Sequence, residues 1–420
     1  MIPLQLRGWM RGLLMLLTLS VSSCAKLKFD NPYDPKNRPP GPQASSPADG
    51  AIITDNPPQF SWADCGVDTA YYHLQISTDS LFSTTIFDDN NLHGTAIGLS
   101  FALPYGKLYW RVRAAKAKDA WGVWSSIHRF FCKYGPVFHS SETALDVCIE
   151  GNRLFTAYNG FRIWDLSDPA QPKQLGSYPE QGECRIAVST GYAYLAWPST
   201  DKSFQIIDVS NPANPALVGS MSLSAYIYGI SVVGDVGYLW GLEPVPMPYT
   251  LYVLDLSDKR NPRVQGRWSG DAMISTNPRI GLQVKGTVCY VSTEDTLFVL
   301  DCQDPTSPRL VCSRPSGGLL VLEGERLYAL SGFDLNIYDI TDPFAPNLIG
   351  HSHVNWEALD AEQGTVYSLA YYTLLWMVDY SKPSSPTSLG FVRCPGYRVA
   401  VKGDYAYLVG SSGLTVARVR

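Results

Sequence analysis

The sequence has few charged side chains, and its N-terminal apolar run is short. Asp, Glu, Lys and Arg together make up 17% of the 420 residues, and the formal net charge is −5 at pH 7. A protein that binds nucleic acid normally presents a basic face, so we exclude nucleic acid as a partner. The apolar run from Leu13 to Leu19 is too short to cross a bilayer as a mature helix.

Motifs of common enzyme classes are also missing. The sequence contains no GxSxG, no HExxH and no phosphate-binding P-loop. Its nine cysteines include no CxxC pair, and most of them stand inside strand-like apolar runs. We therefore predict a protein that is not an enzyme and has no cofactor or metal, with cysteines that serve as core residues. One or two disulfides stay possible in an oxidising compartment, but the sequence does not pair them.

Residues that favour short strands and turns are abundant instead. The chain has 35 Gly, 30 Pro, 25 Tyr and 11 Trp. Aromatic residues favour strands, and Gly and Pro favour the turns between them, so the composition predicts an all-β protein. At this length we expect more than one domain.

The N-terminus has the features of a targeting segment. Arg7 and Arg11 precede the apolar run, and Val21-Ser22-Ser23-Cys24 follows it. This ending resembles the lipobox of bacterial lipoproteins, which implies a signal peptide over residues 1–23 and lipid attachment at Cys24. Acyl chains on that cysteine would hold the protein at a membrane. An ordinary cleaved signal with an incidental cysteine is the alternative.

Two segments follow the signal. Residues 24–46 are rich in Pro, Asn, Asp and Lys and predict an extended tether. Residues 47–133 contain short alternating strands, and in KLYWRVRA the apolar side chains of Leu108 and Trp110 share one face while Arg111 and Arg113 share the other. The motifs FSW, LQIS, YWRVRA and a later WS resemble fibronectin type III modules, which implies an immunoglobulin-like β-sandwich. The corner tyrosine of that fold would fall at Leu108, so its hydrogen bond is absent or replaced.

Residues 134–420 are repetitive. A block of strand, Asp, turn and Pro recurs six times, as in IWDLSDPAQP and IYDITDPFAP, and a block of apolar residues, Gly and an aromatic strand recurs seven times. Each repeat supplies four short strands over roughly 40 residues, which is typical of one propeller blade. The last repeat has no outer strand, and the segment around Val137 reads like the missing one. If that segment pairs with the last repeat, the ring is closed and has no free edge strand.

These repeats resemble the LVIVD repeat of bacterial surface proteins, whose consensus is GLxVIDVSNPxxPxxxG. The resemblance implies a seven-bladed β-propeller, closed by an N-terminal outer strand, at the bacterial cell envelope, with the outer membrane or cell surface as the expected location. Propeller enzymes and WD-repeat proteins carry other motifs, namely the Asp-box, tryptophan-docking repeats and the GH…WD pattern. None of these occurs here.

The repeated aspartates are predicted to be turn residues, because Asp before Ser or Thr and Pro can accept backbone N–H groups. They are Asp165, Asp208, Asp255, Asp301, Asp339 and Asp379. Candidate ligand contacts lie instead where the chain enters the inner strands, because aromatic and arginine side chains there would converge at one mouth of the propeller. This set comprises Arg185, Tyr228, Arg279, His353, Trp356, Glu357, Tyr397 and Arg398. For any one of them, filling the central channel is an equal alternative.

Two main functions are compatible with these patterns. The first is a binding or scaffold lipoprotein whose sandwich is a spacer and whose propeller presents a surface to an unknown protein or glycan; a subunit of an envelope assembly is not separated from it. The second is a hydrolase or lyase of extracellular polysaccharide. That reaction needs two carboxylates, or a carboxylate and a histidine, near the axis, and Glu357, Asp360 and His353 are the only cluster available.

Overall fold

The computed structural model describes residues 31–65, 71–180, 182–199, 204–244, 248–270, 280–354 and 357–420. These residues are almost entirely strands and turns, apart from a short 3-10 helix at Pro35–Asn37. None of the helical segments described reaches the length and hydrophobicity that a bilayer crossing requires. The chain divides into two compact units, one with residues 31–46, 61–96 and 110–128, and one with residues 47–60, 97–109 and 129–420.

The N-terminal part of the described chain forms nine strands of two to ten residues. They are β1 (Ala44–Ser46), β2 (Ala51–Ile53), β3 (Asp55–Asn56), β4 (Gln59–Trp62), β5 (Tyr71–Ser77), β6 (Thr85–Leu92), β7 (Ala96–Gly98), β8 (Gly106–Ala115) and β9 (His128–Cys132). One sheet has the strand order β1-β4-β7 and a second has the order β2-β9-β8-β5-β6. In β8 the side chains of Leu108 and Trp110 are buried while Arg111 and Arg113 lie half-buried on the other face. The alternation predicted for this strand is confirmed.

The repeats form sheets of one design, in which consecutive antiparallel strands are neighbours. The first sheet contains β11 (Asp146–Glu150), β12 (Arg153–Ala157), β13 (Gly160–Asp165) and β14 (Lys173–Pro179). The second contains β15 (Arg185–Ser189), β16 (Tyr192–Ala196), β17 (Phe204–Asp208) and β18 (Ala216–Met221). The third contains β19 (Tyr226–Val233), β20 (Val236–Leu242), β21 (Tyr249–Asp255) and β22 (Arg263–Ser269). The fourth sheet contains β23 (Leu282–Lys285), β24 (Val288–Ser292), β25 (Leu297–Asp301) and β26 (Arg309–Arg314). The fifth contains β27 (Leu319–Glu323), β28 (Arg326–Ser331), β29 (Asp334–Asp339) and β30 (Asn347–His353).

Two further sheets take a strand from earlier in the chain. The strands β31 (Ala358–Glu362), β32 (Thr365–Ala370), β33 (Leu374–Asp379) and β34 (Thr387–Arg393) are joined by β3, which pairs parallel with β34. The strands β35 (Arg398–Lys402), β36 (Tyr405–Gly410) and β37 (Gly413–Arg418) are joined by β10 (Gly135–Ser140), which pairs antiparallel with β37. The segment around Val137 is therefore the outer strand of the sheet that the last repeat forms.

Apolar side chains between neighbouring sheets form the core of the larger unit. Trp240 in β20 is fully buried, stacks on Tyr249 with ring centroids 5.6 Å apart, and belongs to a cluster that includes Leu282 and Cys289 of the next sheet. The first strand of each sheet contacts the first strand of the next, and β35 contacts β11. Phe138 of β10 packs edge-on against Trp164 of β13, so the segment before the first repeat also lies in a packed interface.

A tight turn joins the first two strands of every repeat. Its glycine has a positive φ in all seven repeats, the conformation in which a Cβ atom is unfavourable. These residues are Gly151, Gly191, Gly234, Gly286, Gly324, Gly364 and Gly403.

The repeated aspartates make the turn contact that their position predicts. In each, one carboxylate oxygen accepts the backbone N–H two residues further on, at 2.7–3.0 Å. Asp255 accepts in addition from the hydroxyl of Ser257 and from Arg263, and these bonds lower the pKa of Asp255 to about 2. The aspartates hold the turns that connect the third and fourth strands.

The cysteines of the described residues are free thiols, and five of the eight are buried. Cys289 and Cys302 are neighbours, with their sulfur atoms 3.4 Å apart. Burial raises the pKa of Cys132, Cys184 and Cys394 to about 12. A thiol with so high a pKa is a poor nucleophile and behaves as an apolar core residue.

Candidate functional site

A cavity of about 350 Å³ lies where the first strands of the repeats begin. Each of the seven first strands contributes a residue at or near its N-terminal end. The lining residues are Leu145, Glu183, Arg185, Tyr228, Ile280, Leu319, Glu357, Tyr372, Tyr397 and Arg398. We call this space the central cavity. Five of the eight predicted ligand contacts therefore meet around one space, namely Arg185, Tyr228, Glu357, Tyr397 and Arg398.

The two arginines of the central cavity differ in their partners. Arg185 Nη1 lies 3.0 Å from Glu183 Oε1, whereas its Nε is buried and has no hydrogen-bond partner among the described residues. The side chain of Arg398 forms no hydrogen bond and no ion pair within the part of the chain that the structure describes. Burial, together with the positive charge of Arg185, lowers the pKa of Arg398. An anion placed between the two guanidinium groups would relieve this repulsion.

Carboxylate and phenol groups complete the polar lining. Glu357 Oε2 is buried, and no described residue donates a hydrogen bond to it. Burial also raises the pKa of Tyr228, so its phenol stays a hydrogen-bond donor at neutral pH. The rings of Tyr372 and Tyr397 meet edge to face with centroids 5.4 Å apart and are 41% and 39% exposed. The cavity thus combines unpaired charges with aromatic surfaces.

Tyr372 is held in a strained backbone conformation. Ala370 O accepts a hydrogen bond from Thr373 N, and the two residues between them, Tyr371 and Tyr372, have φ of 52° and 53°. A turn with two positive φ values is the type I′ turn, which strongly prefers Asn-Gly. Strained residues cluster at binding and catalytic sites, so this turn adds to the reasons for placing a ligand site at the central cavity.

A second, more apolar cavity of about 440 Å³ borders the same two loops. Thr373 and Pro395 line it together with Phe101, Pro136 and Arg393. The turn with Tyr372 and the loop with Tyr397 therefore contribute residues to the walls of both cavities.

Asp360 is a structural residue rather than an acid of the central cavity. Its carboxylate accepts hydrogen bonds from Val401 N at 2.7 Å and Ala361 N at 2.9 Å, which ties β31 to β35. Burial raises the pKa of Asp360 to about 7, although these two bonds act in the opposite direction. A raised carboxyl pKa is common at active sites, but here both oxygens already serve the backbone.

Of the cluster predicted for a hydrolase or lyase, only one residue lines the central cavity. Glu357 lines the central cavity, Asp360 bonds to the backbone of β35, and His353 stands at the end of β30 with Nδ1 3.1 Å from Asp334 Oδ1. His353 is not among the residues that line the central cavity, and its pairing with Asp334 places it at the end of β30. His351 faces the same carboxylate at 3.3 Å, and the described residues contain no group of three ligands suited to a metal ion.

Three predicted site residues fall outside the described residues: Cys24, Arg279 and Trp356. Glu183 and Tyr372 line the central cavity and were not predicted from the sequence. Glu183 lies in the loop before β15, where no repeat pattern marks it. The pair Tyr371-Tyr372 offers one usable signal, since it occupies the turn between the second and third strands, where Gly or Asn would be expected.

The fold defines the class of protein: it is a repeat β-propeller. A WD40 β-propeller domain of Doa1 superposes with a TM-score of 0.50 at 10% identity, covering 68% of this chain and 96% of that one. A chain of the mitotic checkpoint complex gives a TM-score of 0.51 at 12% identity, covering 68% and 89%. At such low identity these similarities show the fold alone.

The repeats themselves are similar to a known repeat family. Residues 142–179, 183–222, 281–314 and 397–417 match the LVIVD repeat. The resemblance predicted from the sequence is confirmed for these segments. No curated protein matches the sequence of this chain.

Proposed function

We propose that this protein is a binding protein of the bacterial cell envelope, in which a closed seven-bladed propeller presents the central cavity to a protein or glycan. Seven sheets built on consecutive antiparallel strands, and the contact of β35 with β11, support a complete ring. The pairing of β10 with β37 supports closure by the N-terminal outer strand. A ring closed in this way has no exposed terminal blade, and its remaining sheet edges are short.

The segment 47–133 is proposed to be a fibronectin type III-like spacer. The two N-terminal sheets and the buried apolar face of β8 support a sandwich. Leu108 is buried at the position where such domains carry the corner tyrosine, so that side chain fills core volume here.

Lipid attachment at Cys24 is the proposed anchor. Replacing Cys24 by alanine is expected to reduce the protein in the membrane fraction at least about tenfold, because the acyl chains provide the membrane affinity. The measurement is fractionation of bacterial cells followed by immunoblotting. Cys65→Ala, which changes a thiol of the folded domain, is the control. An unchanged membrane fraction for Cys24→Ala would refute the anchor.

The observation that carries the binding function is the set of charged groups without partners in the central cavity. A buried polar group without a hydrogen bond lowers the free energy of unfolding, and such groups are therefore uncommon in folded proteins. The Nε atom of Arg185 and the Oε2 atom of Glu357 are groups of this kind in a concave site lined by tyrosines. Concave sites with a few converging polar groups are typical of ligand binding.

We expect Tyr397→Ala to weaken ligand binding about tenfold, because the ring forms part of the cavity wall and an exposed aromatic surface. The full chain in detergent would be tested on a glycan array and in pull-downs of envelope proteins. Phe344→Ala is the matched control, since that ring is 37% exposed and lies in the turn before β30, outside the cavity lining. Equal effects of the two substitutions would contradict the assignment of the site.

A further inference from the structure

The unpaired groups of the central cavity have opposite charges. The Arg398 side chain lines the cavity without a hydrogen bond or ion pair to a described residue and can donate to an anion, and Glu357 Oε2 is buried and needs a donor. The two side chains are not within ion-pairing distance of each other, because no ion pair joins them among the described residues. A ligand that satisfies both must carry a negative group and a hydroxyl or amide donor.

This requirement narrows the ligand chemistry. A neutral sugar could accept hydrogen bonds from Arg398 but would leave its positive charge without a counter-charge, and a small anion without a proton would leave Glu357 without a donor. A carboxylate-bearing sugar carries an anion and several hydroxyl groups on one ring. Arginine also suits a carboxylate in particular, because its planar fork can donate two parallel hydrogen bonds.

The walls and the size of the central cavity favour a sugar ring. Tyr228, Tyr372 and Tyr397 contribute flat faces and hydroxyl groups, a combination suited to a ring that has apolar faces and a polar edge. The volume of about 350 Å³ lies near the lower end of the range of roughly 300–1,000 Å³ that small-ligand sites occupy. A folded protein partner would need a far larger contact area than this concavity offers.

We propose that the central cavity binds a hexuronate residue of an acidic polysaccharide, with the carboxylate on Arg398 and a ring hydroxyl donating to Glu357. Arg185, held by Glu183, faces the same anion and adds to its stabilisation. This assignment rests on the proposed binding function and specifies its ligand class.

The test compares an acid with its neutral ester on the full chain in detergent. The probes are a galacturonic acid trisaccharide, its fully methyl-esterified form and a glutamate-rich peptide, measured by isothermal titration calorimetry. We expect the acid to bind at least tenfold more tightly than the ester. Arg398→Gln should abolish this preference, whereas Arg398→Lys should retain part of it because the positive charge stays.

The control variant is Arg263→Gln, which removes the same charge from the start of β22, outside the cavity lining. We expect it to leave the acid-to-ester ratio unchanged. The thermal midpoint of each variant shows that it is folded, and Arg398→Gln should not lower the midpoint, because it removes the repulsion with Arg185.

Two results would overturn this inference while the proposed binding function stands. One is binding of a neutral glycan that Tyr397→Ala weakens and Arg398→Gln does not. The other is binding of the glutamate-rich peptide, but not of the trisaccharide, at the same residues. If Tyr397→Ala changes no binding to any glycan or envelope protein, the proposed function fails as well.

Discussion

Replacing Gly413 by alanine is expected to lower the free energy of unfolding by about 3 kcal/mol, because the new methyl group would meet the backbone of β10. Gly413 begins β37 with φ of +114°, and a Cβ atom there would lie 1.8 Å from Ser140 O. That oxygen belongs to the last residue of β10, and Ser140 pairs with Leu414. The substitution therefore forces the strand that completes the last sheet away from its partner.

Gly403→Ala is the matched control in the same sheet. Gly403 has φ of +61°, and a Cβ atom there would have no neighbour within 4 Å, so only the backbone conformation is penalised. We expect a loss of about 1 kcal/mol for this variant. Thermal unfolding and hydrogen exchange of residues 135–140 measure both effects. Loss of protection in β10 for Gly413→Ala alone would support closure through this strand, and equal effects of the two variants would argue against it.

The parts of the fold that follow from local chemistry could be predicted from the sequence. The turn aspartates bind a backbone N–H two residues away, and the turn glycines need a positive φ. The turns of each repeat can therefore be predicted from the residues of that repeat alone. The segment around Val137 could be placed because it reads like the outer strand of another repeat. These features depend on a few neighbouring residues and recur in register.

The central cavity could be predicted only in part, because its residues come together from distant strands. Arg185, Tyr228 and Arg398 could be chosen because they lie at or near the start of inner strands, and the arrangement of the strands brings those ends together. His353 could not be excluded, since the sequence does not show how far β30 extends. Tyr372 was missed because tyrosine is disfavoured at a positive φ, and a propensity rule does not place it in such a turn.

The strained turn leads to the second prediction, in which substitution of Tyr371 changes stability and substitution of its neighbour Tyr372 changes ligand binding. Tyr371→Asn is expected to raise the free energy of unfolding by about 1 kcal/mol, because asparagine tolerates the left-handed conformation. Tyr371 does not line the central cavity, so ligand binding should stay unchanged. Tyr372→Gly relieves similar strain but removes the ring that packs on Tyr397, a contact worth about 1 kcal/mol. Its net effect on stability should therefore be close to zero.

For ligand binding we expect Tyr372→Gly to have the larger effect of the two substitutions. Tyr372→Gly should weaken binding of the acidic trisaccharide about tenfold, since a wall of the cavity is lost and its neighbour Tyr397 loses support. Thermal unfolding and calorimetry on the same preparations would measure both quantities for the two variants. If Tyr371→Asn weakens binding as much as Tyr372→Gly, the turn acts through its backbone and not through the ring of Tyr372. A decrease in stability for Tyr371→Asn would contradict this prediction and show that the contacts of the tyrosine side chain outweigh the strain of its backbone.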